Sequence, residues 1–369
     1  MIYSELQATG LTKRAQPAFF VRTAAKRKQW WHPRSPYPPG MNPFEEKTTA
    51  DAVTAAKSAV VTADPIKLRV TSLGKLPGMY SVISSATNVK GEPWYVSNGN
   101  IYALDPKTMK FRNIPFSGSY LGQDNASYNE AKNVIYFQRG RRKEWGGPNF
   151  EILDLNTMFA KKGEDNPCFE QRSIVSNGKY VSVGFTEMDA FWNMAVLLHV
   201  WDDNAGKWKR EIYDGWNRGP PCARREWKLN NIAQDQILVQ AHSGRRLEGS
   251  DSWTLDTKRY VMKSLETAGL PGRYFEFSST FPMKVNGKRK IISYGGIPYH
   301  EKKGISSDVH VLDLEDNVWE PAPILSGDAL KPRAKHHAVA IGDDKVVVFG
   351  GQDGEGNTYD DFFLIEANQ

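Results

Sequence analysis

Two short segments near the end of the chain decide the fold: KIISYGG at residues 290–296 and KVVVFGG at residues 345–351. Each is a run of β-branched and aromatic residues that stops at two glycines, which is typical of a buried strand followed by a sharp turn. Downstream of each pair, a second apolar strand ends in a carboxylate, at Asp313 and at Glu366. The two segments are therefore copies of one repeating unit.

The strand that ends in a carboxylate recurs four more times upstream, at intervals of 48 to 57 residues. An apolar strand precedes each copy, and an aromatic residue follows each of the first five carboxylates within four to six residues. The unit is thus four short strands, repeated six times. The carboxylates are Asp105, Asp154, Asp202, Asp256, Asp313 and Glu366, and the aromatic residues are Phe111, Phe159, Trp208, Tyr260 and Trp319.

The diglycines Gly295-Gly296 and Gly350-Gly351, together with Trp319 after its turn, resemble the repeats of the kelch family over about residues 66–369. The other four copies lack the diglycine. The resemblance implies an all-β, six-bladed kelch-type β-propeller. We expect the segment with Leu68 and Val70, preceded by Ile66, to supply the strand that the sixth copy lacks, because closing the ring removes exposed sheet edges.

The repeated carboxylates occur once per unit, at the same point of the repeat. An Asp at that point can accept hydrogen bonds from the turn that leads into the next strand. We therefore predict that the carboxylates are structural and do not form acid and base pairs.

Three domains follow from composition: a basic extended arm with Pro and Trp over residues 1–43, a short helix or linker over 44–65, and the propeller over 66–369. Residues 1–40 hold seven basic residues against Glu5, whereas the rest of the chain holds 41 of each sign. The five prolines between Pro33 and Pro43 favour an extended chain.

The arm has three interpretations. A mitochondrial presequence fits its Arg, Ala and Thr content. Contact with RNA or protein fits its cations and rings, because phosphates attract cations and bases stack on rings. A plain disordered tail is the third. The arm residues predicted to make contacts are Arg22, Lys26, Arg27, Lys28, Trp30, Trp31 and Arg34.

Long connections between the second and third strands of a propeller all emerge on one face, and long loops on a rigid scaffold commonly carry binding. Three of them are basic, whereas the last is acidic, with Asp353, Glu355, Asp360 and Asp361. The predicted partner-binding residues are Arg139, Arg141, Arg142, Lys143, Arg245, Arg246, Lys302 and Lys303.

No motif for catalysis, metal binding or a cofactor is evident, and no apolar run reaches the length of a membrane helix. Copper oxidases on this fold need a Tyr crosslinked to a Cys, whereas Cys168 and Cys222 fall in connecting segments without nearby histidines. His199 and His310 occupy matching repeat positions, and we expect His336 and His337 to pack near the channel.

The leading hypothesis is a non-catalytic structural and protein-interaction subunit of a large multisubunit assembly, such as the mitochondrial ribosome or another mitochondrial complex. Its expected partners are protein subunits and, through the arm, ribosomal RNA, without a small-molecule substrate. A freestanding cytoplasmic or cytoskeletal kelch adaptor that binds a protein through its loop face is the second hypothesis. An enzyme that works in the central channel is the third.

Overall fold

The computed structural model describes residues 67–77, 83–119, 125–139, 150–166, 169–185, 196–211, 224–243, 252–269, 275–298, 304–322 and 324–367. The chain divides into two units, Met1–Ala63 and Asp64–Gln369, and every described residue belongs to the second. The predicted arm and the predicted helix lie outside the described residues. All regular structure in the described ranges is β-strand.

The strands follow one another in the order that the repeats predict. They are β1 (Leu68–Lys75), β2 (Ser85–Val89), β3 (Glu92–Ser97), β4 (Asn100–Asp105), β5 (Lys110–Ile114), β6 (Ser117–Gly118), β7 (Asn125–Asn129), β8 (Val134–Gln138), β9 (Phe150–Asp154), β10 (Phe159–Lys162), β11 (Phe169–Ser176), β12 (Lys179–Phe185), β13 (Val196–Asp202), β14 (Lys207–Glu211), β15 (Arg224–Ala233), β16 (Gln236–Ser243), β17 (Ser252–Asp256), β18 (Val261–Leu265), β19 (Phe275–Glu276), β20 (Ser279–Val285), β21 (Lys288–Tyr294), β22 (Ile297–Pro298), β23 (Val309–Asp313), β24 (Val318–Pro321), β25 (Ile324–Gly327), β26 (His337–Ala340), β27 (Lys345–Phe349) and β28 (Asp361–Ala367).

These strands form six antiparallel blades of four strands each, which confirms the predicted six-bladed propeller. From inner to outer strand, the blades are β2 to β5, β7 to β10, β11 to β14, β15 to β18, β20-β21-β23-β24 and β26-β27-β28-β1. The short strands β19 and β22 pair with each other beside blade 5.

The ring closes through β1, as the sequence predicts, and we call the pairing of β1 with β28 the seam. Strand β1 is the fourth of blade 6 and pairs antiparallel with β28, from Leu68 opposite Ala367 to Lys75 opposite Asp361. Leu68 and Val70 are buried, whereas Arg69 between them is exposed. This alternation is what a strand with one buried face requires.

The core consists of side chains at the interfaces between neighbouring blades. The second and third strands are buried along most of their length because each blade packs against a blade on both sides. One cluster of buried side chains lies at each interface: around Trp94 and Phe137, Phe150 and Tyr180, Leu198 and Trp253, Leu238 and Leu312, Tyr294 and Phe363, and Phe349 and Tyr95.

The repeat suggested that the aromatic residues after the carboxylates share one structural position. They do not. The inward position lies six residues after the carboxylate, opposite the apolar residue that precedes the carboxylate. Phe159 comes one residue earlier, so strand alternation turns its ring outward, and it is 50% exposed. Tyr260 comes two residues earlier, in the turn. The residues at the inward position are Phe111, Ala160, Trp208, Met262 and Trp319.

Three connections between blades add a short parallel segment to the outer edge of the blade that they enter. β6 pairs with β10, Ala268 bridges to Val318, and β25 pairs with β1. In each segment a glycine faces the backbone of the neighbouring strand so closely that a Cβ would overlap a carbonyl oxygen. These glycines are Gly118, Gly269 and Gly327.

Candidate functional site

One end of the propeller, which we call the turn end, carries short hairpin turns that the repeated aspartates organise. Asp105, Asp154, Asp202, Asp256 and Asp313 each accept the backbone N–H of the residue two positions on, at 2.7 to 3.0 Å. Backbone N–H donors are the main reason that the pKa values of Asp105, Asp202 and Asp256 are lowered. The predicted structural role is confirmed for these five, whereas Glu366 pairs with Lys345 at 2.7 Å.

Hydrogen bonds between neighbouring blades fasten the turn end. The Asn129 amide donates to the Gly178 carbonyl at 2.9 Å, and the Asn177 amide donates to Asp235 at 2.7 Å. Where the ring closes, the Asn88 amide donates to the Ala340 carbonyl at 2.5 Å. Each bond joins the inner part of one blade to that of the next, so hydrogen bonds link neighbouring blades at this end.

The opposite end, which we call the loop face, carries the long connections between second and third strands. They span residues 139–149, 186–195, 244–251, 295–308 and 350–360, whereas blade 1 has a turn at residues 98–99. Of the eight basic residues predicted here, Arg139 directly follows β8 and is half-buried. The other seven, and all the predicted arm residues, lie outside the described residues.

The structure describes every residue of the acidic loop of blade 6. Its carboxylates make contacts within the loop and with β1. Asp353 accepts the backbone N–H groups of Glu355 and Asn357 at 2.9 and 2.8 Å. Asp360 pairs with Lys75 at 2.7 Å. These contacts give the carboxylates a structural use.

The segment that contains the buried Arg333 lies beneath the loop face, and its backbone packs against both diglycines. Arg333 is 1% exposed and donates to the Gly350 carbonyl at 2.7 Å and to Asp361 at 2.8 and 3.2 Å. A Cβ on Gly295 would overlap the Arg333 carbonyl oxygen, and one on Gly351 would lie 2.9 Å from the Ala334 oxygen. Both diglycines therefore let the segment that enters blade 6 pack against the ends of second strands.

The histidines noted in the sequence are buried or half-buried. His336 is 5% exposed and packs on the Tyr294 ring at 4.8 Å, and burial lowers its pKa well below the usual value. Burial, with the nearby Arg210 charge, lowers the pKa of His199 to about 4. Burial also lowers the pKa of His310. Within the described ranges, no group of three or more His, Cys, Asp or Glu side chains is placed to hold a metal ion.

This blade order, the strand seam and the diglycine packing define a β-propeller of the kelch type. The model of the KLHDC2/KLHL20/DRC7 Kelch-repeats domain matches residues 171–369, which is more than half of the chain. The chain belongs to this kelch-repeat family, as the sequence resemblance predicted.

Curated relatives match part of the chain. Acyl-CoA-binding domain-containing protein 4 of Arabidopsis thaliana is 25% identical over 52% of the chain, and acyl-CoA-binding domain-containing protein 5 of the same plant is 24% identical over 58%. The matches span 27% and 31% of those proteins, so they cover less than a third of each.

Among solved structures, that of YjhT matches 78% of this chain and 95% of its own, with a TM-score of 0.58 and 15% identity. At this identity, the likeness supports the fold alone. Among the residues that the structure covers, no helix has the length and apolar character to cross a membrane.

Proposed function

We propose that this chain is a non-catalytic interaction subunit of a large multisubunit assembly and that its loop face holds a protein partner. The contrast between the two ends of the ring carries the proposal. The connections at the turn end are short hairpin turns, whereas five blades carry long connections at the loop face. A rigid ring with long loops at one end suits recognition of a protein surface. Membership of the kelch family supports the same role.

We further propose that the assembly is mitochondrial, with the mitochondrial ribosome as the first candidate. The support is compositional: residues 1–40 combine seven basic residues with one acidic residue. Basic segments of this kind direct proteins to mitochondria or bind RNA phosphates. The proposed partners are protein subunits, with ribosomal RNA at the arm.

The loop face is tested by charge reversal. Replacing Arg141, Arg142 and Arg245 together with Glu is expected to reduce the fraction of protein in the heavy peak of a density gradient at least about tenfold, because like charges across an interface oppose association. The measurement is sedimentation of the tagged protein from organelle lysates, with and without RNase.

The matched control reverses three exposed cations of the turn end, Lys90, Lys107 and Lys258, which gives the same change in net charge. This variant is expected to sediment as the wild type does. Equal sedimentation of the loop-face variant and the wild type would contradict a partner site at the loop face.

The arm is tested by deleting residues 1–43. Because the arm precedes the seam strand β1, we expect the urea midpoint of the propeller to stay unchanged while the protein leaves the heavy peak. The midpoint is followed by tryptophan fluorescence in the same preparations. Normal sedimentation of the truncated protein would overturn the proposed role of the arm.

A further inference from the structure

The outer wall of the propeller carries a band of cations that the loop-face proposal does not use. We define the outer wall as the fourth strands of blades 1 to 4, namely β5, β10, β14 and β18. These strands carry eight basic residues, all exposed, against one acidic residue, Glu211. The basic residues are Lys110, Arg112, Lys161, Lys162, Lys207, Lys209, Arg210 and Lys263.

Most of this charge is uncompensated. Arg112 pairs with Glu92 and Lys209 pairs with Asp202, at 2.5 and 3.1 Å. The other six have no ion-pair partner in the part of the chain that the structure describes. Positively charged side chains repel one another, so these unpaired cations do not stabilise the fold.

The positive charge is not even around the ring. In blade 5 the fourth strand, β24, carries Glu320 and no cation. In blade 6 the fourth strand, β1, carries Arg69 and Lys75, and Lys75 is paired with Asp360. Arg69 is exposed and has no ion-pair partner among the described residues, so blade 6 matches blades 1 and 4 with one unpaired cation each. The surplus of positive charge is greatest on blades 2 and 3, with two unpaired cations each, and β24 of blade 5 interrupts it.

The geometry of the wall selects among anionic partners. Successive blades of a six-bladed ring are turned by about 60° from one another, so four blades face directions spread over about half a circle. A flat membrane cannot contact such a convex wall along its whole length, whereas a flexible strand can follow it. Alternate residues of one strand, such as Lys207 and Lys209, lie about 7 Å apart. This regular spacing suits a polymer with a charge on every unit.

An exposed ring lies within the band. Phe159 begins β10, two residues before Lys161, and half of its surface is open to solvent. It is the one large hydrophobic side chain in the described ranges that is exposed. Exposed aromatic rings among cations bind single-stranded nucleic acid, because bases stack on the rings while the cations hold the phosphates.

We propose that the outer wall binds the phosphate backbone of a single-stranded RNA segment, with Phe159 as a stacking platform. The proposed site shares no residue with the loop-face proposal or with the arm proposal. The wall would thus tie the propeller to RNA while the loop face remains available to a protein.

The test measures binding of a fluorescein-labelled 30-nucleotide RNA of mixed sequence to the full chain by anisotropy, over a series of salt concentrations. Changing Lys161, Lys162, Lys207 and Arg210 together to Gln is expected to weaken binding about tenfold or more at 100 mM salt. The slope of log K against log salt is expected to become less steep by about 3, since each of the four lost phosphate contacts removes about 0.7 from it. The Phe159→Ala variant is expected to weaken binding about fivefold at an unchanged salt slope.

The matched control changes Lys75, Lys284, Lys288 and Lys345 to Gln, which lowers the net charge by the same amount on blades 5 and 6. Wild-type affinity and slope in this control, with the loss in the wall variant, would support the proposal. Equal weakening of both variants, or an unchanged wall variant, would overturn it. The proposal would also be overturned if the wall variant lost binding to phosphatidylserine vesicles but kept the RNA affinity of the wild type. This assay contains no protein partner. A negative result would therefore not count against the loop-face proposal, which is tested by sedimentation.

Discussion

The Arg333→Met variant is expected to lose about 3–5 kcal/mol of unfolding free energy, because it removes the buried cation that pairs with Asp361, whose side chain is 22% exposed, and that donates to the buried Gly350 carbonyl. The guanidinium lies 4.5 and 4.7 Å from the rings of Tyr359 and Phe363 and makes the hydrogen bonds to Gly350 and Asp361 described above. Methionine fills much of the same space but donates no hydrogen bond. The Gly350 carbonyl and Asp361 then lose the donors that compensate for their burial. Urea denaturation of the full chain measures the change.

The control for this variant is Lys331→Met, which removes a second cation from the same carboxylate. Lys331 lies 3.5 Å from Asp361, and its side chain is 60% exposed. Exposed ion pairs contribute about 1 kcal/mol or less. A loss of similar size in the two variants would show that the pairing of Arg333 is not what stabilises this region.

The second large effect is expected from Gly327→Ala at the seam of the ring. Gly327 has a φ of 92° and faces the backbone of Val70 in β1, where a Cβ would overlap the Val70 carbonyl oxygen. The substitution adds backbone strain to a steric clash, so β25 must move away from β1. We expect a loss of about 3–5 kcal/mol, measured by urea denaturation.

Gly91→Ala separates strain from clash. Gly91 has a φ of 88°, close to that of Gly327, but a Cβ there would meet no atom within 4 Å. This control is expected to lose about 1–2 kcal/mol, the cost of the backbone conformation alone. If Gly327→Ala cost no more than Gly91→Ala, the contact between β25 and β1 would not be a constraint on the seam.

Much of the fold follows from the sequence because its signals are local. Apolar strands, turn residues and the repeated aspartate predict six units, and Leu68 and Val70 predict the strand that closes the ring. The aromatic residues were misleading at Phe159 and Tyr260. Their spacing from the aspartate varies, and a shift of one residue turns a side chain to the other face of a strand.

The candidate sites were less predictable. The loop-face cations could be named from loop length and charge, and the structure describes Arg139 among them. The outer wall could not be predicted from the sequence because its cations, such as Lys161 and Lys207, lie on strands of four separate repeats, and their common surface depends on how the blades are arranged. They form a band once the blades are placed side by side.

The sequence by itself determined the strand pattern, the number of blades and the seam, because each depends on the period of a strand and on the chemistry of a turn. The tertiary structure alone decided the burial of Arg333, the contact of Gly327 with Val70 and the common surface of the wall cations. These features join residues far apart in the chain, as in the hydrogen bond from Ser72 to Asp328 across 256 positions. Local signals cannot encode contacts of this kind, since they form only when the blades pack together and the ring closes.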